Sequence, residues 1–263
     1  MQPTSRHEQI VALVARSGEV SVEALAEALD VSRETVRRDL ARLDADGQLR
    51  RFHGGARALG VRAAPSAAVT EKEWPFAQRM AQNAAGKARI AAAACGLFQP
   101  DDSLFVDTGS TTVAFAEALA ACPPLVVITN APRIASTLAQ GGGHKVFLIG
   151  GAYGADAGES LGPLALEQIG KFRARHAVLT VGAVDQACVM DFDVQEAEVA
   201  KAMIERADRV TVLADHSKFD RRAVFEVAPL AGIDTLVTDV TPSETMARAL
   251  AAAGVEVIVA DPA

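Results

Sequence analysis

The sequence predicts an α/β chain in two parts. A winged helix-turn-helix over residues 1–57 is followed by a linker over 58–85 and a mainly parallel α/β domain over 86–263. Three observations predict it. Two short, capped helical segments flank a tight turn between Val20 and Leu40. A hairpin rich in arginine follows at Leu49–Arg57. Beyond Gly86, short β-branched runs alternate with alanine-rich helical stretches, the pattern of a parallel sheet with crossover helices.

In the N-terminal module, Ser5 to Glu8 reads as a capping box opening helix 1, with Ile10, Leu13 and Val14 on one face. Gly18 stands where a left-handed cap ends it. Ser21 caps helix 2, with Val20 stapled to Leu25. Ser32 caps helix 3, with Val31 stapled to Val36, and a tight turn near Asp30 joins the two. Val36, Leu40 and Leu43 share the inward face of helix 3. At about 100° per residue the outward face carries Glu34, Arg38, Ala41 and Arg42, flanked by Thr35 and Arg37. Outward arginines near a helix start suit phosphate contact and guanine readout. Gly47 ends the helix, and the hairpin behind it reads as the wing, with Arg50, Arg51 and Arg57 as backbone contacts. The candidate DNA contacts are therefore the two caps Ser21 and Ser32, then Arg33, Glu34, Thr35, Arg37, Arg38 and Arg42, and on the wing Arg50, Arg51 and His53.

Charge supports this placement. The whole chain of 263 residues carries −7, an awkward sign for a partner of DNA. Residues 33–57, however, hold seven arginines against four acids, a net of +3, whereas residues 1–32 carry −3. Only the face that meets phosphate must be basic. Half of the chain is apolar and 22% charged, as in ordinary globular proteins. No apolar run reaches the length of a membrane span. The start, Met1-Gln-Pro-Thr-Ser-Arg6, lacks a charged region followed by an apolar block, so no secretion signal is expected and the cytoplasm is the expected compartment. Cys95, Cys122 and Cys188 are widely separated, which argues against a zinc site or a disulfide framework.

Residues 58–73, alanine-rich with Gly60, Pro65 and Ser66, read as a connection. The expected strands of the second domain are Leu104–Asp107, Leu125–Thr129, Lys145–Ile149, Ala177–Val181, Val210–Ala214, Thr235–Asp239 and Val255–Ala260. Helices are expected near 87–98, 111–121, 131–140, 163–172, 195–207 and 243–253. Ligands of such sheets sit at the carboxyl ends of strands. The first such loop, Asp107-Thr-Gly-Ser-Thr-Thr112, joins a strand to a helix, and its hydroxyls and free N–H groups make an anion site. The same residues also suit an ordinary helix cap. It is neither a Walker A loop nor a dinucleotide fingerprint. Asn130, Gly150-Gly151, Gly162 and Lys218 lie beyond other strand ends of the same edge.

Two further patterns are weaker. Gly158-Glu-Ser-Leu-Gly162 matches a nucleophile elbow but follows a glycine-rich loop, and an elbow needs a strand before it. Asp191, Asp193, Glu196 and Glu198 have the oxygen donors for a divalent ion. Carboxylates at a helix start explain them without one, and no metal or cofactor is expected.

The stretch Arg6 to Ala56, above all Val36-Arg-Arg-Asp-Leu40, Gly47 and Arg51-Phe-His-Gly-Gly-Ala56, resembles the DNA-binding domain of the DeoR family of bacterial transcription regulators. Asp107–Thr112, Thr129-Asn130, Gly150-Gly151, Glu196-Ala-Glu-Val-Ala-Lys201 and Asp215-His-Ser-Lys-Phe219 resemble its sensor domain. Together they span nearly the whole chain. The resemblance implies a sensor fold similar to ribose-5-phosphate isomerase and a repressor switched by a phosphorylated sugar or polyol. It implies that Thr108, Gly109, Ser110, Thr111, Thr112 and Lys218 hold the phosphate while Asp107, Asn130 and Glu196 meet hydroxyls. Met190-Asp-Phe-Asp193 with Asp215–Phe219 resembles the glycerol-3-phosphate-repressor branch. Val184–Val189 departs from the family pattern, which has a glycine near Ala187. The expected partners are operator DNA, the effector and further copies of the chain, as dimer or tetramer; no membrane and no enzymatic activity are expected.

Overall fold

The computed structural model describes residues 3–17, 19–29, 31–45, 47–52, 55–57 and 73–260. The chain divides into two compact units, Met1–Val69 and Thr70–Ala263.

The first unit runs α1 (Pro3–Ser17), β1 (Glu19–Ser21), α2 (Val22–Leu29), α3 (Arg33–Ala45), β2 (Arg50–Phe52) and β3 (Gly55–Arg57). The expected cap at Ser5 is displaced: α1 opens at Pro3, whose fixed φ suits a first helical turn, and Ser5 is already helical. α2 and α3 begin directly after Ser21 and Ser32. Ser32 Oγ accepts the Thr35 N–H at 3.2 Å, one of the donors a helix start leaves without a partner. Val36, Leu40 and Leu43 pack with Ile10, Leu25 and Leu49 in the core of this unit. Gly47 ends α3 at φ +66°. Its N–H donates to Asp44 O at 3.0 Å and that of Gln48 to Leu43 O at 2.9 Å, a Schellman ending that glycine adopts without strain. β2 and β3 form the expected hairpin, with Arg50 opposite Arg57. β1, which the pattern did not predict, pairs antiparallel with the other side of β3 and makes a three-stranded sheet. Gly18, Asp30, His53 and linker residues 58–72 lie outside the described residues.

The second unit begins with α4 (Phe76–Ala81), α5 (Ala84–Cys95), β4 (Ser103–Val106), α6 (Ser110–Leu119), β5 (Val126–Thr129), α7 (Pro132–Ala139) and β6 (Lys145–Leu148). It continues with β7 (Ala152–Gly154), β8 (Glu159–Leu161), α8 (Pro163–Ile169), β9 (Ala174–Leu179), β10 (Ala183–Val184), β11 (Cys188–Asp191) and α9 (Val194–Glu205). It ends with β12 (Ala207–Leu213), β13 (Phe225–Pro229), β14 (Thr235–Thr238), α10 (Glu244–Ala252) and β15 (Glu256–Val259). The seven expected strands form one sheet in the order β15-β14-β12-β9-β4-β5-β6, and every pair is parallel. Successive residues of a strand serve opposite faces. Leu104, Val106, Val127 and Val178 belong to the cluster with Ile90 and Phe115 from α5 and α6. Phe105, Ile128, Ala177 and Leu179 belong to the cluster with Ile169, Met203 and Leu250 from α8, α9 and α10.

Residues 76–81, expected as linker, are helical, and Phe76 is buried in the cluster that includes Ile90 and Phe115. An alanine-rich composition hides so short a helix beside the linker. Two small sheets were also unexpected: the β7–β8 hairpin and the antiparallel β10-β11-β13.

Asp39 is the polar clamp of the first unit. Its carboxylate accepts from Arg6 Nε at 2.6 Å and Nη2 at 3.1 Å and lies 3.0 Å from His7 Nε2, tying α3 to α1. Burial pushes this carboxyl up, but the hydrogen bonds and charges of Arg6 and His7 outweigh it and hold it below the ordinary carboxylate range. A lowered value means that the clamp contributes fully above the unfolded value of about 4 and is lost as pH falls through the folded one. Asp39→Asn is expected to cost the first unit about 2 kcal/mol at neutral pH and to flatten its acid destabilisation. Amide exchange of α1 and α3 against pH measures both effects, and unchanged protection would rule the clamp out.

Candidate functional site

Two surfaces carry the candidate chemistry. On α3, Arg33, Glu34, Arg37, Arg38, Ala41 and Arg42 are exposed, opposite the buried Val36, Leu40 and Leu43. Arg37 stands 3.9 Å from Glu34 with both side chains more than half exposed, too loose a pair to immobilise the guanidinium. Thr35 is half-buried, and its Oγ1 lies 2.9 Å from Ser32 Oγ. These two hydroxyls therefore serve the start of the helix. Ser21 ends β1 opposite Gly55, and Arg51 lies on β2 opposite Ala56.

The second surface follows from strand order. From β4 the chain winds outward through β5 to β6, then returns to the other side of β4 with β9 and winds away through β12, β14 and β15. Strand order therefore reverses between β4 and β9, where the loops leave in opposite directions and open a crevice. Asp107 and Thr180 follow these two strands, and Asp107 Oδ2 accepts the Thr180 N–H at 2.9 Å across the gap. Asp107 Oδ1 is buried with no hydrogen-bond partner. Burial pushes the carboxyl well above its usual range, and the charges of Asp191 and Glu159 add to this against the Thr180 N–H.

The crevice holds two adjoining pockets. Asp107, Thr108, Asn130, Glu159, Asp191, Glu196 and Val199 line one. Thr108, Asp191 and Glu196 continue into the other, where they meet Glu73, Arg79, Ser110, Thr111, Gly182 and Lys218. Thr108 Oγ1 donates to Asn130 Oδ1 at 3.1 Å, and Asn130 Nδ2 donates to Ser160 O at 3.1 Å, so the amide is fixed from both sides. At the start of α6, Gly109 occupies the cap position and no side chain accepts from the first N–H groups. Those donors lie beside the Ser110 and Thr111 hydroxyls.

Two cations face that helix start. Lys218 sits in the one-turn helix His216–Lys218, held near the crevice by the Phe219–Val184 bridge. Burial lowers its pKa, while Glu73 and Asp215 oppose the shift. Arg79 Nη1 pairs with Glu73 at 3.0 Å and Nη2 with Asp156 at 3.4 Å, and its buried Nε has no partner. Lys87 Nζ braces the floor by donating to Arg79 O and, at 2.7 Å, to Gln82 O. The opposite wall is acidic. Burial pushes Glu196 up to about 10, helped by the charges of Asp191, Glu159 and Glu73. It pushes Asp191 and Glu159 to about 7.

The fold thus brings Asp107, Thr108, Ser110, Thr111, Asn130, Glu196 and Lys218 to one crevice. Gly109 and Thr112 shape it from behind, and Thr112 Oγ1 donates to Gly109 O at 3.1 Å. Gly150, Gly151 and Gly162 do not line either pocket. Gly150 exchanges both backbone bonds with the Gln168 amide, at 3.1 and 3.2 Å. A Cβ on Gly151 would stand 2.6 Å from Leu161 O, so that glycine serves the β7–β8 hairpin. Gly162 takes φ +80° to start α8. Ser160 lies within strand β8 and His216 pairs with Asp239 at 2.9 Å, so no nucleophile elbow forms. The four clustered acids separate. Asp193 caps α9 through the N–H groups of Gln195 and Glu196, Glu198 is exposed, and Asp191 and Glu196 enter the crevice. Glu73, Arg79, Glu159 and Thr180 had no sequence signal as site residues, because each reaches the crevice from its own element.

Residues 6–60 match the model of the DeoR-like helix-turn-helix domain, and residues 82–240 that of the DeoR C terminal sensor domain. The chain belongs to the DeoR family. This DeoR-family chain is 33% identical to a glycerol-3-phosphate regulon repressor of Escherichia coli K12 over 95% of its own length and 96% of the relative's. It is 32% identical to the HTH-type transcriptional repressor CsqR of the same strain, over 96% and 94%. Among solved structures, ribose 5-phosphate isomerase A of Methanocaldococcus jannaschii overlays with a TM-score of 0.38 at 15% identity, over 52% of this chain and 55% of that one. No described helix is long and apolar enough to cross a membrane.

Gly109 has an extended φ of −171°, open to any residue, so what excludes a side chain is space. A Cβ there would collide with Thr180 Oγ1 and stand 3.0 Å from Thr180 Cβ. Gly109→Ala is expected to force β4 and β9 apart at the crevice and to destabilise the second unit by about 1–3 kcal/mol. Adding Thr180→Ala should restore part of the loss in thermal melts. No loss in the single variant would show that the two loops are not in contact.

Proposed function

We propose that this protein is a DNA-binding transcriptional repressor whose crevice between β4 and β9 takes a phosphorylated sugar or polyol that alters operator binding. The observation that carries the reading is the uncapped start of α6. Its free N–H groups and the Ser110 and Thr111 hydroxyls stand in one pocket with Lys218 and Arg79. This combination suits a phosphate. The adjoining pocket, lined by Asp107, Asn130, Glu159 and Glu196, is rich in acceptors for hydroxyls. The relative named glycerol-3-phosphate regulon repressor supports the same class of ligand. Operator half-sites mirror protein symmetry, so the repressor acts as a dimer or tetramer in the cytoplasm. An isomerase reading gives the exposed arginines of α3 no task, and measurable turnover of sugar phosphates would favour it.

Replacing Arg37 and Arg38 together by alanine is expected to weaken operator binding about 10- to 100-fold, as loss of one or two base or phosphate contacts does. The salt slope should fall by about one or two counterions. Fluorescence anisotropy of labelled promoter DNA across a salt series measures both, and unchanged binding removes α3 from the interface. Lys218→Ala, by contrast, should leave DNA affinity intact and weaken the response to phosphorylated sugars and polyols at least tenfold, consistent with about 1.5–3 kcal/mol for a charge-assisted contact. If this variant responds like the parent across the panel, the phosphate does not sit beside Lys218.

A further inference from the structure

We propose that the crevice binds a hard divalent cation, of the Mg²⁺ and Mn²⁺ class, between Glu73, Asp191 and Glu196, and that the effector's phosphate is taken up with it. The three carboxylates offer oxygen atoms that all lie within 4.8 Å of one another. Oxygens around one such ion, each about 2.1–2.5 Å from it, span about that distance. The donor set is all oxygen, which selects Mg²⁺, Mn²⁺ or Ca²⁺ over softer metals. Asp191 is 7% exposed, and Glu73 pairs with Arg79 at 3.0 Å and with Lys218 at 3.8 Å, both through Oε1.

A second observation points the same way. Asp107, also 7% exposed, lines the same pocket as Asp191 and Glu196 and keeps Oδ1 buried without a partner. A buried carboxylate oxygen with nothing to accept is costly. The lining as a whole sets five carboxylates (Glu73, Asp107, Glu159, Asp191 and Glu196) against two cations, Arg79 and Lys218. Hydroxyl groups of a polyol satisfy acceptors but bring no positive charge, and a phosphate brings further negative charge. A divalent ion held by these three carboxylates, with its remaining positions taken by water and phosphate oxygens, brings positive charge to this lining and joins it to the phosphate. The carboxylates alone carry the cation; the link to the effector rests on the reading given under Proposed function.

The test uses the full-length protein stripped with EDTA. Titration with Mn²⁺, followed by the paramagnetic resonance of the free ion, is expected to show one ion bound per chain. Glu196→Gln, and separately Glu73→Gln, should weaken that binding at least tenfold, with folding checked by circular dichroism. No stoichiometric binding up to millimolar Mn²⁺, or binding unchanged in both variants, overturns the cation site. Thermal melts with glycerol 3-phosphate and related phosphates, with EDTA or with Mg²⁺, test the link. A shift that shrinks in EDTA and returns with Mg²⁺ supports it. An equal shift in both overturns the link and leaves the effector reading intact. Mn²⁺ binding with no shift from any phosphorylated compound supports the cation site and sinks the effector reading instead.

Discussion

The reversal of strand order between β4 and β9 is the constraint on which the sensor half depends. Two neighbouring parallel strands send their loops in opposite directions, and the gap must be closed by polar groups without being filled. Asp107 does this with one oxygen on the Thr180 N–H. Gly109 allows the closest approach of the two loops, since any Cβ there would meet Thr180. The start of α6 is thereby fixed beside the crevice with its first donors uncapped. Every other group of the pocket is placed relative to that pair: Asn130 from the end of β5, Glu159 from β8, Asp191 from β11 and Lys218 from the turn after β12.

Charge is distributed differently on the two surfaces. The outward face of α3 bears guanidinium groups in solvent, where they carry no burial penalty. The crevice does the opposite and concentrates carboxylates where burial penalises them, as the upward shifts of Asp107, Asp191 and Glu196 record. Buried charge of one sign stabilises no fold by itself. It lies at a strand-order reversal rather than in the core beneath, which is the observation the proposed effector site builds on.

The main sheet was legible because each of its strands is a run of four to seven residues with β-branched or large apolar side chains, set between helices of readable period. The two- to five-residue strands of β1, β7–β8 and β10-β11-β13 were not, because their partners are decided by tertiary packing. Glycine was the least decisive letter. Gly109 and Gly151 both permit close approach, but one approaches the crevice loop of β9 and the other its own hairpin. Nothing local in the sequence distinguishes them. Lys218 and Thr111 were legible as strand-end chemistry. Glu73, Arg79 and Glu159 were not, since a charged side chain acquires its role only when the fold sets it against others from remote segments.

Glu73 is the crevice residue nearest in sequence to the first unit. It stands at the start of the second compact unit, directly after the segment that leads from the helix-turn-helix, and it pairs with Arg79 at 3.0 Å on the next helix. A ligand shifts an equilibrium only through contacts that differ between two states. Three groups of the crevice stand on short elements: Glu73 ahead of α4, Lys218 on a one-turn helix and Asp191 on the small sheet. The strands beneath them, with Phe105, Val106 and Leu179 fully buried, are too closely packed to yield. Glu73 and Lys218 thus meet in the crevice from remote parts of the second unit's sequence, above a closely packed sheet.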